Sequence, residues 1–469
     1  MGGWVAPTIC KSPNQKEKNK MKYLPPVLTG ILAAVSLYAA NAARLAWPEM
    51  LLATLLAALI GLFFAFLFSL HKLTAPNMPF IASVFTIGFL MWYAITPIVG
   101  CIVIAATLAI GILVKKLHLI TNPLIIGLTV AIVVSTGQAI VVNAGNQTST
   151  TTTAITPNGN LPNIYFIVPD RMPSFEAMAE LGIDTTSLKW QLIGKGFYVK
   201  ENQLSADPYL PTDETDPQTT RTMRYMASVL NNGRKIPMNI EYQAARQLIR
   251  NPAITADLHR LGYTFYNVAS WFTETAHINS ADYNLTMQKQ TWYDWIFTGE
   301  YNSAFWARSI LNGMNLKMFM SSYTIARTEG LRHVWQAMTT VELAKTPGQK
   351  FVMTHLMLPH EPFVWTANGE LQYKDLPQPE LYVQQISFTC DYLNSLASDI
   401  LAADSNAIII IQSDEGMAYR KPVELNYDLT PTQWNGVFTA WRLPWDDDLA
   451  ELPHTGILNY VLGKLNHNQ

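Results

Sequence analysis

The apolar positions of this chain fall into two regimes. From Leu24 onward they come in long unbroken blocks. Five of these approach the roughly 20 residues a helix needs to cross a hydrocarbon core of about 30 Å: Leu24–Ala43, Met50–Leu70, Pro79–Ile95, Pro97–Val114 and Pro123–Val142. The third and fourth nearly touch at Thr96-Pro97, which suits a tight hairpin or a re-entrant pair. No Asp, Glu, Lys or Arg lies inside any block. Such residues usually mark a conduction pathway, so the pattern predicts a passive anchor and argues against a transporter. Four more spans after the first, and no small-residue cleavage site, argue against a removable signal peptide.

The basic residues give the anchor a direction. Lys11, Lys16, Lys18, Lys20 and Lys22 precede the first block, Lys72 follows the second, and Lys115 and Lys116 follow the fourth. The opposite loops hold only Arg44. Basic loops stay on the cytoplasmic side. Five spans therefore put the tail inside and everything after the last span outside, in an integral, multi-pass protein of the cytoplasmic (inner) membrane. Four or six spans break the alternation.

Beyond Asn143 the regime changes. Residues 144–160 are rich in Thr, Ser, Asn and Gly and read as a linker. Short apolar runs then alternate with helical patterns. The runs are Asn163–Asp170, Gly262–Val268, Gln349–Met357 and Ala407–Gln412; helical patterns over Ala253–Leu261 and Tyr382–Leu401 precede the second and the fourth. Continuous apolar runs of this length suit strands buried on both faces. Alternation with helices predicts an α/β domain whose sheet is mostly parallel and flanked by helices. The expected organisation is a basic tail (1–22), an all-α transmembrane bundle of about five helices (23–143), a linker (144–160) and one α/β domain (161–469). In such sheets ligands gather at the carboxyl ends of the strands, and those ends here carry Asp170, His360 and Asp414-Glu415. His355, five residues before His360, is expected inside its strand and outside the chemistry. The aromatic stretch Trp292–Trp306 is expected to be packing or a lid.

Composition narrows the function. The chain is 49% hydrophobic and only 14% charged, with net charge −2, which leaves no electrostatic footprint for nucleic acid. Of the three cysteines, Cys10, Cys101 and Cys390, only the last falls in the α/β domain. That domain therefore forms no internal disulfide, which for an outward-facing domain suits a prokaryote.

Three motifs occur in order: Pro162-Asn-Ile-Tyr-Phe-Ile-Val-Pro-Asp170, Leu358-Pro-His-Glu-Pro-Phe363 and Ile409-Ile-Ile-Gln-Ser-Asp-Glu-Gly416. Together they resemble the alkaline phosphatase/sulfatase superfamily, and within it membrane-anchored sulfatase-like proteins related to lipoteichoic acid synthases and phosphoethanolamine transferases. The resemblance spans most of Asn163–Asn466. It implies a metal ligand at Asp170, a second at Asp414 and a histidine, His360, that meets the substrate or leaving group. It also implies a nucleophilic hydroxyl at a helix start, where Thr219, Thr220 and Thr222 compete; an N-cap role is the alternative for each. Where the family pairs Asp with His, this chain has Asp414-Glu415. A carboxylate there would still bind metal and would shift the preference from Zn2+ toward Mn2+ or Mg2+. Arg171 follows Asp170, so a second acidic ligand is missing at that point and a single divalent metal ion is expected.

The resemblance thus implies a metal-dependent hydrolase or phospho-group transferase of phosphate or sulfate esters. Its substrate would be an envelope lipid or glycan beside the bilayer. The rival is a domain that kept the fold, lost the chemistry and serves as an envelope-binding or scaffold module; Glu415 and the unassigned threonine are its grounds.

Overall fold

The computed structural model describes residues 21–41, 47–71, 74–91, 105–107, 109–110, 113–114, 121–146, 161–206, 219–297, 300–306, 308–313, 320–373, 378–417, 430–447 and 449–467. The chain divides into two compact units, Met1–Thr151 with Lys289–Phe319, and Thr152–Gln288 with Met320–Gln469. The break after Thr151 falls within the expected linker, 144–160, and Lys289–Phe319, expected within the α/β domain, groups with the first unit.

That first unit is built on helices α1 (Leu24–Asn41), α2 (Trp47–Ser69), α3 (Met78–Leu90) and α4 (Thr121–Asn146). Among the described residues only Met50–Ser69 and Thr121–Gln138 are long and apolar enough to cross a membrane. This corrects the expected five spans. The apolar stretches Leu24–Ala39 and Ala75–Leu90 are shorter. The 13 residues of α3 reach about 20 Å at 1.5 Å per residue, short of a hydrocarbon core. Most of Pro97–Val114, the basic tail and most of the linker lie outside the described residues. Helices α1 and α2 meet backbone to backbone: a Cβ on Gly30 would lie 2.1 Å from the Ala57 carbonyl oxygen, so only glycine fits.

The helices Trp292–Phe297 and Glu300–Trp306 also belong to this unit. Tyr301, Phe305 and Trp306 are buried in one cluster with Ala34, Leu37, Ala53 and Ala57. The Tyr301 hydroxyl donates to the Ala34 carbonyl at 2.7 Å. The aromatic stretch is thus packing.

The second unit is a seven-stranded mixed sheet between two helical layers. Its strands are β1 (Ile164–Pro169), β2 (Tyr198–Lys200), β3 (Thr264–Val268), β4 (Tyr283–Leu285), β5 (Lys350–Leu356), β6 (Ile408–Gln412) and β7 (Thr439–Arg442). They lie in the order β2-β7-β6-β1-β5-β3-β4. The five from β6 to β4 run parallel, and β7 and β2 add an antiparallel edge. The two-residue period of a strand sorts the core into faces. Ile164, Phe166 and Val168 pack with Ile408 and Ile410 against helix α5 (Arg221–Val229), through Met223 and Met226. Tyr165 and Ile167 pack with Ile409 and Ile411 on the other face, against helix α7 (Gln378–Ala403), through Ile386 and Leu393. Between them in sequence lies α6 (Ser322–Lys345). A strand buried on both faces cannot alternate apolar with polar, which is why these runs are continuous.

His333 of α6 is 2% exposed. Its Nδ1 accepts a 3.0 Å hydrogen bond from Trp365 Nε1. Burial, with Arg332 nearby, pushes its pKa down to about 3. A histidine depressed in the folded state contributes fully above its unfolded pKa of about 6.5, and the contribution is lost as pH falls from there toward 3. The expected loss is about 1.4 kcal/mol per pH unit within that window. Denaturation of the intact protein at pH 7 and pH 4.5 should show wild type weakened at the lower pH. His333→Asn keeps an acceptor for Trp365 but does not titrate, so it should lose less over the same interval.

Candidate metal centre

The carboxyl ends of β1, β5 and β6 are stitched together before any functional group is placed. Asp170 donates its backbone N–H to the Leu356 carbonyl at the end of β5 (2.8 Å). Arg171 has φ 63°, a left-handed backbone that a side chain with a Cβ rarely adopts. That twist aims its N–H at Asp414 Oδ1 (3.0 Å), while its carbonyl accepts from the Tyr382 hydroxyl. Met172 N–H donates to Ser413 Oγ (2.9 Å), and that hydroxyl donates on to the Glu415 carbonyl (2.8 Å). At Gly416 a Cβ would sit 2.4 Å from the Trp434 carbonyl oxygen, so the turn after β6 closes only with glycine.

This stitching brings Asp170, Asp414 and His355 to one buried point. One ligand atom from each lies within 4.8 Å of the others. Asp170 Oδ1, Asp414 Oδ2 and His355 Nε2 are all buried without a hydrogen-bond partner. Nε2 stands 3.3 Å from Asp170 Oδ2. The far side of the ring is spoken for: Nδ1 lies 2.8 Å from Thr275 Oγ1 and 3.4 Å from Ser270 Oγ. With the proton on Nδ1, donated to Thr275, the Nε2 lone pair faces the two carboxylates. This is how second-sphere hydroxyls orient a ligating imidazole. Two carboxylates and one imidazole form a donor set that can hold a divalent cation and leave positions open.

The charges fit the same reading. Burial pushes Asp414 well above the usual carboxylate range, and the negative charges of Asp170 and Glu415 add to it. Burial pushes Asp170 upward too, but His360, His355 and Arg171 outweigh it and hold the group below its ordinary value. Two carboxylates in one dry place cannot both ionise without a compensating cation.

The remaining candidates separate cleanly. Thr220 caps α5, its hydroxyl accepting from Met223 N–H at 3.1 Å. The hydroxyl and carbonyl of Thr219 accept from Arg224. Thr222, 4% exposed, reaches Asp414 with its side chain. His360 stands at the rim, its ring edge-on to Trp271 with centroids 5.4 Å apart, close enough for its charge to act on Asp170. Glu415 is outside the three-residue group. Its Oε1 pairs with Arg171 Nε at 2.9 Å and its Oε2 lies 3.9 Å from Arg221 Nε. Arg171 also reaches Glu361 at 3.3 Å.

Two histidines escape the motif reading. His355, expected to stay out of the chemistry, joins the group that could hold a metal ion. Its signal was present: Thr354-His355 is a polar pair inside the apolar run Phe351–Met357, and a buried strand carries such a pair only where something satisfies it. His454 is fully buried, stacked on Tyr225 at 4.7 Å, with both ring nitrogens unpartnered. Burial pushes its pKa down to about 3. It lies in no motif.

No protein-family model and no curated protein matches the chain. Solved structures resemble it at low identity. The C-terminal periplasmic domain of EcEptC from Escherichia coli, in complex with zinc, is 14% identical over 66% of this chain and 83% of that one, with a TM-score of 0.38. The lipoteichoic acid synthase LtaP from Listeria monocytogenes is 10% identical over 61% and 66%, TM-score 0.37. The soluble domain of lipooligosaccharide phosphoethanolamine transferase A from Neisseria meningitidis is 11% identical over 66% and 84%, TM-score 0.33.

Metal analysis of the purified full chain should find about one equivalent of a divalent ion per molecule. Asp414→Asn and His355→Ala should each lose it, and Glu415→Gln should keep it. Retention by His355→Ala with loss in Glu415→Gln would move the site to the arginine-paired carboxylate instead.

Proposed function

We propose that the α/β unit is a metal-dependent hydrolase or transferase of phosphate or sulfate esters, working on an envelope lipid or glycan from a membrane anchor. One observation carries it: Asp170, His355 and Asp414, each with an orphaned buried polar atom, converge at the carboxyl ends of parallel strands, and the Thr222 side chain reaches Asp414. A bound cation would supply Lewis-acid charge to the ester oxygens, held there by Asp170, His355 and Asp414. Zn2+ and Mn2+ both suit that donor mixture.

The chain's own groups have the following roles. Thr222 Oγ1 attacks phosphorus or sulfur, its proton passing to the carboxylate side of the site, where Asp414 meets it. The ester oxygen leaves and takes a proton from His360. The group then sits on Thr222 until water (hydrolysis) or an envelope hydroxyl (transfer) removes it. The second turn of a helix is a poor place for a free hydroxyl to lose its proton. The first turn of α5, with its unpaired N–H groups, is a better one, and Thr222 is the second residue of that helix. The anchor rests on the candidate spans Met50–Ser69 and Thr121–Gln138; an extracytoplasmic active unit requires an odd number of crossings, as in the five-block reading of the sequence, because two alone would return the chain to the side of its lysine-rich tail.

The scaffold reading has one observation of its own. Arg171 and Arg221 neutralise Glu415 beside the cluster, so the site is partly closed by its own ion pairs. The full chain, metal-loaded in detergent, decides between them with aryl phosphate, phosphodiester and aryl sulfate substrates. The enzyme reading expects turnover on at least one, a fall of about a thousandfold or more in kcat for Thr222→Ala, and partial retention for Thr222→Ser. Metal-bound protein that turns over none of the three favours the scaffold. Turnover unchanged in Thr222→Ala removes Thr222 as nucleophile.

A further inference from the structure

The first unit contains a cavity of about 460 Å3 lined by Leu, Ile, Phe and Trp side chains alone. One wall is α2, through Leu56, Ile60 and Phe64; the other is the aromatic segment, through Ile296, Phe297 and Trp306. Two lining residues on that side carry an indole donor: Trp306 Nε1 donates to the Ile296 carbonyl at 2.8 Å, and Trp292 is half exposed. A lining of this kind suits an apolar ligand, and the volume lies within the range of about 300–1,000 Å3 typical of ligand sites.

The mouth says what fills it. Leu59 and Phe63 line the opening and are 50% and 59% exposed. They continue the row of Leu55 (57%) and Phe66 (56%) on one face of α2, whose residues Met50–Ser69 form a candidate span. On the aromatic segment, Trp292 and Trp295 are 48% and 56% exposed, and Lys289 Nζ lies 5.9 Å over the Trp295 ring. Exposed tryptophans with a lysine beside an apolar face are the side-chain chemistry of a bilayer interface, apolar body inward and polar tip toward the headgroups.

We propose that this cavity takes one acyl chain of a membrane phospholipid, which enters from the α2 face while its headgroup stays level with Lys289 and Trp295. The proposal rests on the reading that α2 crosses the bilayer. It is independent of the chemistry at Thr222. It gives the aromatic segment a use beyond packing: a wall that turns one exposed helix face into a lipid site.

The test is photolabelling of the full chain in phosphatidylcholine vesicles carrying a small fraction of phospholipid with a diazirine on one acyl chain. Label should concentrate on residues 56–64 and 292–311, saturate with probe, and fall with excess unlabelled phospholipid. Ile60→Trp, which fills the cavity, should lower labelling of both segments about fivefold while the exposed face of α4 at Val130 and Val133 labels as before. Should that variant fail to fold, saturation and competition in wild type decide alone. Uniform, non-saturating label over every exposed apolar face overturns the site, and so does an Ile60→Trp profile identical to wild type. Thr222→Ala separates the two readings: it should abolish turnover and leave labelling intact. Release of the chain from vesicles by alkaline carbonate overturns the membrane reading and the lipid site together.

Discussion

Two carboxylates brought to one dry point constrain everything around them. Asp170 and Asp414 end neighbouring parallel strands, β1 and β6, that are buried on both faces. The strands' apolar interior excludes the water that would screen these charges, and the backbone that positions them spends its own N–H on one of the four oxygens. Every other feature of the site can be read as a response: the left-handed twist at Arg171, the histidine across the pair, the threonine on Asp414, and the arginines that occupy Glu415. The same carboxylates in an exposed turn would need none of these.

The sheet's interior was legible because burial on both faces imposes a composition. Ile408-Ile-Ile-Ile has only one way to satisfy itself. The edges were not. The edge strands Tyr198–Lys200 and Tyr283–Leu285 are three residues long, too short to carry a pattern, and Tyr198–Lys200 pairs with β7, far away in sequence. In the anchor, apolar composition marked the helices but not their lengths. A helix stops where its caps and turns stop it, as α3 does at Leu90.

The site divided along the same line. Asp170 and Asp414 could be read from strand ends. The choice among three threonines could not, because it depends on helix phase: Thr219 lies ahead of α5, Thr220 caps it, and Thr222, two residues further in, turns toward Asp414. The position next to Asp414 is a related case. Sequence adjacency points to Glu415, which in the structure pairs with Arg171, while the parallel register of β1 with β5 sets His355 opposite Val168, two residues before Asp170. Spatial neighbours across a sheet leave no trace in sequence spacing.

The aromatic segment has a topological consequence. The chain passes from the first unit to the second near residue 151, returns near 289 and leaves again near 319. The α/β unit is therefore not a tail that one cut can release. A fragment beginning after the linker would still carry Tyr301, Phe305 and Trp306, stripped of the helices that bury them, and an uncovered aromatic surface of that kind is an aggregation hazard. Isolating the α/β unit calls for excision of residues 289–319 as well as truncation, with Gln288 and Met320 rejoined by a polar linker.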